Sequence, residues 1–258
     1  MAQAMSDTQV LDIRNLRIEA VTETGTRVTL VDDVSLALKS GEVLGLIGES
    51  GAGKSTIGLS TLVYTRTGCQ ITGGQILFRG RDLRGLDVRG RQSLRGVKVA
   101  YIAQSAAAAF NPAHTIYDQV CEVALQHGVM NRGQARMDAI RLFKELDLPN
   151  PDAFGNRYPH QVSGGQLQRA MAAMAMIAKP DLLVFDEPTT ALDVTTQVEV
   201  LASFKKLIRE HRTAALYISH DLAVVAQIAD RIMVLRYGKM VELGDATRVL
   251  QQPQMEYT

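Results

Sequence analysis

The sequence is poor in cysteine, in net charge and in long hydrophobic runs, and each shortage narrows what the chain can be. Two cysteines, Cys69 and Cys121, stand among 258 residues with no metal-ligand or redox spacing. That gives no basis for a disulfide framework, and two ordinary reduced thiols, as in the cytosol, are expected. Lys and Arg number 28 against 27 Asp and Glu, a net charge of +1, which gives no support to a nucleic-acid surface. A local cluster of Arg79, Arg81, Arg84, Arg89, Arg91, Arg95 and Lys98 is interrupted by Asp82 and Asp87 and reads as a solvated face. The longest apolar run, residues 170–178, is stopped by Lys179-Pro180-Asp181, far short of the ~20 residues a membrane helix needs. Residues 1–8 lack the basic start and apolar core of a signal peptide. A soluble chain is expected, so any membrane role comes through a partner. No internal repeat or low-complexity linker is found.

What is present is organised around one stretch. Gly48-Glu49-Ser50-Gly51-Ala52-Gly53-Lys54-Ser55, followed by Thr56, fits G-x-x-x-x-G-K-[ST], the phosphate-binding loop. Val43-Leu44-Gly45-Leu46-Ile47 leads into it as a short apolar strand, and Ile57, Leu59 and Leu62 mark the helix that leaves it. Strand, glycine turn and helix in that order are what the chemistry requires. The glycines let the backbone curl with its N–H groups inward, where side chains would block a phosphate. The helix N-terminus adds about half a positive charge. Lys54 can reach the β- and γ-phosphates, and the Ser55 hydroxyl can ligate Mg²⁺.

Hydrophobic residues make up 46% of the chain, enough for a sizeable core in one large domain or a domain plus a subdomain. Before the loop, Leu11-Asp12-Ile13-Arg14 and Val28-Thr29-Leu30-Val31 alternate around a polar turn, Thr22-Glu23-Thr24-Gly25, and predict an antiparallel layer. After the first helix, a strand is expected at residues 73–80 and another at 97–103, which delivers Gln104 at its C-terminal end. Ligands gather at such ends in open parallel sheets, so Gln104 could ligate Mg²⁺ or position a water; taken alone, a Gln there is equally a surface residue. From Tyr117 to Leu148 the spacing turns helical. Val162-Ser163-Gly164-Gly165-Gln166 then opens a helix reaching Ala178, and Ser and Gly at a helix start make a second anion-type site. Leu182-Leu183-Val184-Phe185 predicts a buried strand ending in Asp186, the carboxylate a phosphate loop needs to hold Mg²⁺. Glu187 follows and could accept a proton from an attacking water. A further strand, 214–219, presents His220 at its end, and residues 232–243 predict a hairpin before a last short helix at 247–251.

With these residues in order, the chain resembles the ATP-binding cassette family from about residue 11 to residue 249. The family's phosphate loop matches residues 48–55 and its glutamine loop Gln104. Its signature, usually LSGGQ, matches Val162-Ser163-Gly164-Gly165-Gln166. Its Walker B strand ends at Asp186, with the catalytic glutamate at Glu187. Its Ala-Leu-Asp turn matches Ala191-Leu192-Asp193 and its switch histidine His220. Within the family the chain is similar to the ATPase subunits of dipeptide, oligopeptide and nickel importers. Phe110-Asn111-Pro112, Asp186-Glu187-Pro188-Thr189-Thr190 and the ending Pro253-Gln254-Met255-Glu256-Tyr257-Thr258, similar to P-x-H-P-Y-T, carry that likeness.

The resemblance implies an α/β fold. A mostly parallel P-loop NTPase sheet and an N-terminal antiparallel β layer form an ATP-binding core (1–105 and 162–258), with an inserted helical subdomain at 106–161. It implies ATP and Mg²⁺ as ligands, with Ser55, Gln104 and Asp186 at the metal and Glu187, His220 and Gln104 in catalysis. ATP would lie between residues 48–56 of one cassette and residues 163–166 of a second, identical or not. Two transmembrane permease subunits and, indirectly, a substrate-binding protein would be partners, at the cytoplasmic face of the inner membrane and without nucleic acid. The alternative is a soluble cassette ATPase of the translation or DNA-repair type, which would carry tandem cassettes, coiled coils or basic extensions not seen here. Three features depart from the family pattern. Residues 1–47 contain no Phe, Tyr or Trp to stack on adenine, leaving aliphatic side chains, Arg27 or other groups. Val162 replaces the signature's Leu. The chain stops at Thr258, as a trimmed chain or half of a tandem protein would. Finally, Ala106-Ala107-Ala108-Ala109-Phe110 fits a helix start or internal packing, and it also fits the favoured reading, a small-residue groove with one aromatic anchor; the resemblance implies that this region receives a short permease helix.

Overall fold

A computed structural model describes residues 9–22 and 24–258. The signal-peptide reading of residues 1–8 and the Glu23 position of the expected turn lie outside the described residues. In chain order the elements are β1 (Gln9–Val21), β2 (Arg27–Lys39), β3 (Val43–Ile47), α1 (Lys54–Ser60), β4 (Cys69–Phe78), β5 (Arg81–Asp82), α2 (Val88–Leu94), β6 (Val99–Ile102), α3 (Ala106–Ala109), α4 (Ile116–Gln126), α5 (Arg132–Glu145), α6 (Pro151–Phe154), α7 (Gly164–Met176), β7 (Leu182–Asp186), α8 (Val194–His211), β8 (Ala214–Ile218), α9 (Leu222–Ile228), β9 (Arg231–Arg236), β10 (Lys239–Asp245) and α10 (Ala246–Gln251). They form two compact units, residues up to 92 with 214–258, and residues 93–213. Among the described residues no helix is long and apolar enough to cross a membrane.

The first unit holds the antiparallel sheet β2-β1-β4-β5 and, beside it, the strand order β10-β9-β3-β8. β1 and β2 alternate buried and exposed residues, as the sequence pattern predicts, with Leu11, Ile13, Leu16 and Ile18 at 0–1% exposure. β3 is buried along its length and lies parallel to both β8 and β9, with Leu46 opposite Ile218 and Met233. Burying each such Leu stabilises the fold by roughly 1.5–3 kcal/mol. Polar groups fix where β3 begins: the Asp230 carboxylate accepts the Val43 N–H at 2.8 Å, and Arg231 pairs with Glu42 at 2.9 Å. The expected hairpin is the antiparallel pair β9–β10.

The second unit pairs β6 parallel to β7, with Tyr101 opposite Val184, and contains all of the stretch 106–161, where α3 to α6 fall. The helical pattern from Tyr117 to Leu148 divides into α4 and α5, because Asn131 starts a new helix with a capping box: its side chain accepts the Gln134 N–H, and the Gln134 side chain accepts the Asn131 N–H. Tyr117, Phe143 and Phe154 pack ring on ring, with centroids 5.6 and 5.2 Å apart. Cys121 is buried beside them on α4, and desolvation followed by the nearby Asp118 raises its thiol pKa to about 11. The expectation for Phe110 is corrected here. The alanines form α3, capped by Ser105, and Phe110 is 4% exposed; the ring is buried and is not an exposed anchor. Part of the arginine cluster is also less free than a solvated face would be, since Arg84 donates to the Gly74 carbonyl and Arg91 to that of Leu86.

Candidate functional site

In the first unit, β3 runs directly into residues 48–53, and α1 begins at Lys54. The loop's shape depends on glycine at two places. Gly48 has φ 154° and Gly53 φ 93°, and a Cβ would stand 2.3 Å from the Leu235 carbonyl oxygen at the first and 2.8 Å from that of Leu30 at the second. Glu49, Ser50 and Gly51 are exposed, while Ala52 is buried. Lys54 is 5% exposed, yet its ammonium is satisfied: Nζ donates to the carbonyls of Gly48 at 2.7 Å and Glu49 at 2.9 Å. Ser55 and Thr56 are half-buried on the first turn of α1. His220 follows β8 by two residues and is exposed. The intervening Ser219 donates its N–H to the Leu46 carbonyl at 3.1 Å, so His220 leaves the parallel pair at the same end as Gly48. Asp221 then caps α9 through the Ala223 and Val224 N–H groups.

In the second unit, Asp186 closes β7 at 7% exposure and accepts a hydrogen bond from the Tyr101 hydroxyl. Glu187 comes next, in left-handed conformation at φ 50°. A non-glycine residue there carries roughly 1–3 kcal/mol of strain, and such strain persists where the surroundings hold it. Its Oε2 accepts from Gln104 Nε2 and from Thr190 Oγ1, both at 3.4 Å. The two carboxylates therefore differ in kind: Asp186 is enclosed and held by a phenol, and Glu187 is half-buried among polar groups. Ser163 caps α7, with its Oγ accepting the Gln166 N–H at 3.3 Å and its own N–H donating to Gln166 Oε1 at 3.2 Å. A Cβ at Gly165 would stand 2.4 Å from Thr196 Cγ2 on α8. Gly164 faces Leu192 of the 191–193 turn, and Asp193 caps α8. The Thr196 hydroxyl, then its N–H, holds the Asp193 carboxyl below the usual range.

Of the residues singled out in the sequence, the structure joins Gln104 to Glu187, and Lys54 to its own loop. Two partners were not legible. Tyr101 stands 85 residues from Asp186, and Thr190 follows Glu187 by three. The one available signal for Tyr101 was a hydroxyl in an otherwise apolar strand leading to Gln104. Among the described residues, no three His, Cys, Asp or Glu side chains gather as a metal cluster.

A glycine loop between a buried parallel strand and a helix, together with a second buried strand ending in Asp-Glu, defines an α/β nucleotide-hydrolysing protein of the P-loop class. The match to the ABC transporter family covers residues 31–190; the chain belongs to that family and is one of its ATPases. It is 40% identical to the dipeptide transport ATP-binding protein DppD of Bacillus subtilis over 251 residues, 97% of this chain and 75% of that protein. It is 37% identical to the oligopeptide transport ATP-binding protein OppD of Salmonella typhimurium over 96% of this chain and 74% of that one. Among solved structures, a dimeric MJ0796 bacterial ABC transporter cassette superposes with a TM-score of 0.78 at 26% identity, covering 92% of this chain and 98% of that one. The same cassette in a post-hydrolysis state with ADP and Pi scores 0.78 at 25% identity, with the same coverage.

Proposed function

We propose that this ATPase powers import of peptides or a similar small solute through two membrane permease subunits, from the cytoplasmic face of the membrane and paired with a second cassette. The names and extents of the relatives support the cargo class and the transport role. The dimeric neighbour supports the second cassette. The observation that carries hydrolysis is Glu187, held in strained backbone beside Gln104 and Thr190.

In this reading the N–H groups of residues 48–56 and the ammonium of Lys54 bind the phosphates of ATP. On arrival of the γ-phosphate, Lys54 exchanges the loop carbonyls for phosphate oxygens. Glu187 takes a proton from the attacking water, Gln104 orients that carboxylate, and His220 steadies the γ-phosphate side. Ser163, Gly164, Gly165 and Gln166 serve the nucleotide of the opposite cassette. The Ser55 hydroxyl, the Gln104 amide oxygen and the Asp186 carboxylate are hard oxygen donors, the chemistry Mg²⁺ prefers. That ion would neutralise charge on the β- and γ-phosphates. Tyr101 keeps the Asp186 carboxylate oriented.

Glu187→Gln tests the assignment. It keeps volume and polarity but removes the base, and turnover should fall by roughly 10²–10⁴-fold with ATP affinity retained. Near-normal hydrolysis by this variant would remove Glu187 from the role.

A further inference from the structure

The turn that carries Glu187 is fastened to the helix that follows it. Gln197 lies on the first turn of α8, where its N–H donates to the Asp193 carbonyl at 2.9 Å. Its side chain reaches back out of the helix: Nε2 donates to the Thr189 hydroxyl at 2.9 Å. Thr189 is 3% exposed, and its carbonyl accepts the Leu192 N–H at 3.1 Å. Thr189 is thus gripped on its side chain by α8 and on its backbone by the turn leading into α8. One buried residue, Pro188, separates Thr189 from Glu187, and a proline ring fixes its own φ. Little freedom remains between the fastened Thr189 and Glu187, which stands at φ 50°. On the other side, Thr190 gives its hydroxyl to Glu187 Oε2 and its N–H to the Glu187 carbonyl, both at 3.4 Å. Fixing Thr189 therefore places the residues on both sides of it. A left-handed residue persists only where its surroundings hold it, and the Gln197–Thr189 hydrogen bond is such a hold, supplied by the next helix.

We propose that Gln197 is a positioning residue for hydrolysis: its hold on Thr189 keeps residues 187–190 in the shape that brings the Glu187 carboxylate to the Gln104 amide and the Thr190 hydroxyl. The proposal rests on Glu187 being the group that takes the proton from water. Gln197 acts through Thr189, on the carboxylate and not on the phosphate loop. Its loss should therefore slow the chemical step and leave ATP affinity as it was. A shift in the first turn of α8 is felt at Glu187 through the same bond.

The test uses the full chain, assayed well below each variant's unfolding midpoint. Gln197→Met keeps the length of the side chain and a good helix former but loses the amide donor. Its kcat should fall by roughly 10- to 100-fold, the cost of a misplaced catalytic group, while ATP affinity measured calorimetrically stays within twofold of wild type. Thr189→Val removes the same hydrogen bond from the other end and should give the same fall. The double variant should be no slower than either single one, because both break one interaction. Thr189→Ser, which keeps the hydroxyl, should recover most of what Thr189→Val loses. In a Glu187→Gln background, Gln197→Met should leave the residual hydrolysis nearly unchanged, since no base remains to be aimed. The positioning role is overturned if Gln197→Met and Thr189→Val both hydrolyse ATP within twofold of wild type while Glu187→Gln is inactive. It is also overturned if their losses multiply in the double variant, persist in full in the Glu187→Gln background, or appear equally in ATP affinity. If Glu187→Gln itself turns over at a near-normal rate, the base assignment fails and the positioning role fails with it.

Discussion

At residues 48–55 glycine is demanded by the loop's own backbone: Gly48 and Gly53 sit at positive φ, and a Cβ on either would strike a carbonyl of a neighbouring strand. At residues 163–166 the glycines are helical, and what a Cβ on Gly165 would strike is Thr196 of the next helix. The Gln166 N–H is taken by Ser163 in a capping box. Two Ser- and Gly-rich helix starts that read alike in the sequence are therefore built on different physics. The first is a turn whose backbone shape itself requires glycine. The second is a well-capped helix end whose glycine admits α8 closely.

Substitution sharpens this contrast, most strongly at the first loop. Lys54→Ala removes a charge-assisted contact worth about 1.5–3 kcal/mol, and ATP affinity should fall roughly 10- to 150-fold in a calorimetric titration; unchanged affinity would count against the loop. Gly165→Ala should cost about 1–3 kcal/mol of stability by overpacking, seen in denaturant unfolding, while ATP affinity of the isolated chain changes far less than with Lys54→Ala. A large affinity loss with no stability loss would reverse the contrast. The smallest effect is expected of Ser163→Ala, about 1 kcal/mol of stability from the lost cap; no change in the unfolding midpoint would mean the capping box contributes little.

Local patterns were legible where one short stretch carries its own reason. The apolar run of β3, the alternation of β1 and β2, and Asp186 at the end of a buried strand all follow from period and composition. What escaped the sequence depends on distant partners. Nothing near Asp186 in the chain announces Tyr101, because strand pairing brings them together. Glu187 is surrounded by ordinary residues, and its left-handed backbone shows only in the fold. Phe110 was misread because an aromatic after four alanines could equally cover a groove or plug a core, and only packing decides. Nor does the sequence announce that the Glu242 carboxylate accepts the Gln254 and Met255 N–H groups, since Glu242 reads as one more charge in a hairpin.

The unequal burial of the two cysteines has a practical consequence. Cys69 is half-exposed at the start of β4, whereas Cys121 is enclosed among the helices with its thiol held protonated. A thiol-directed dye at neutral pH attacks the thiolate, so the native protein offers a single labelling handle, on its antiparallel sheet, with no engineering. Cys121 lines a cavity between α4 and α5, so the slow appearance of a second label then becomes a clock: it counts how often that thiol ionises and meets reagent there.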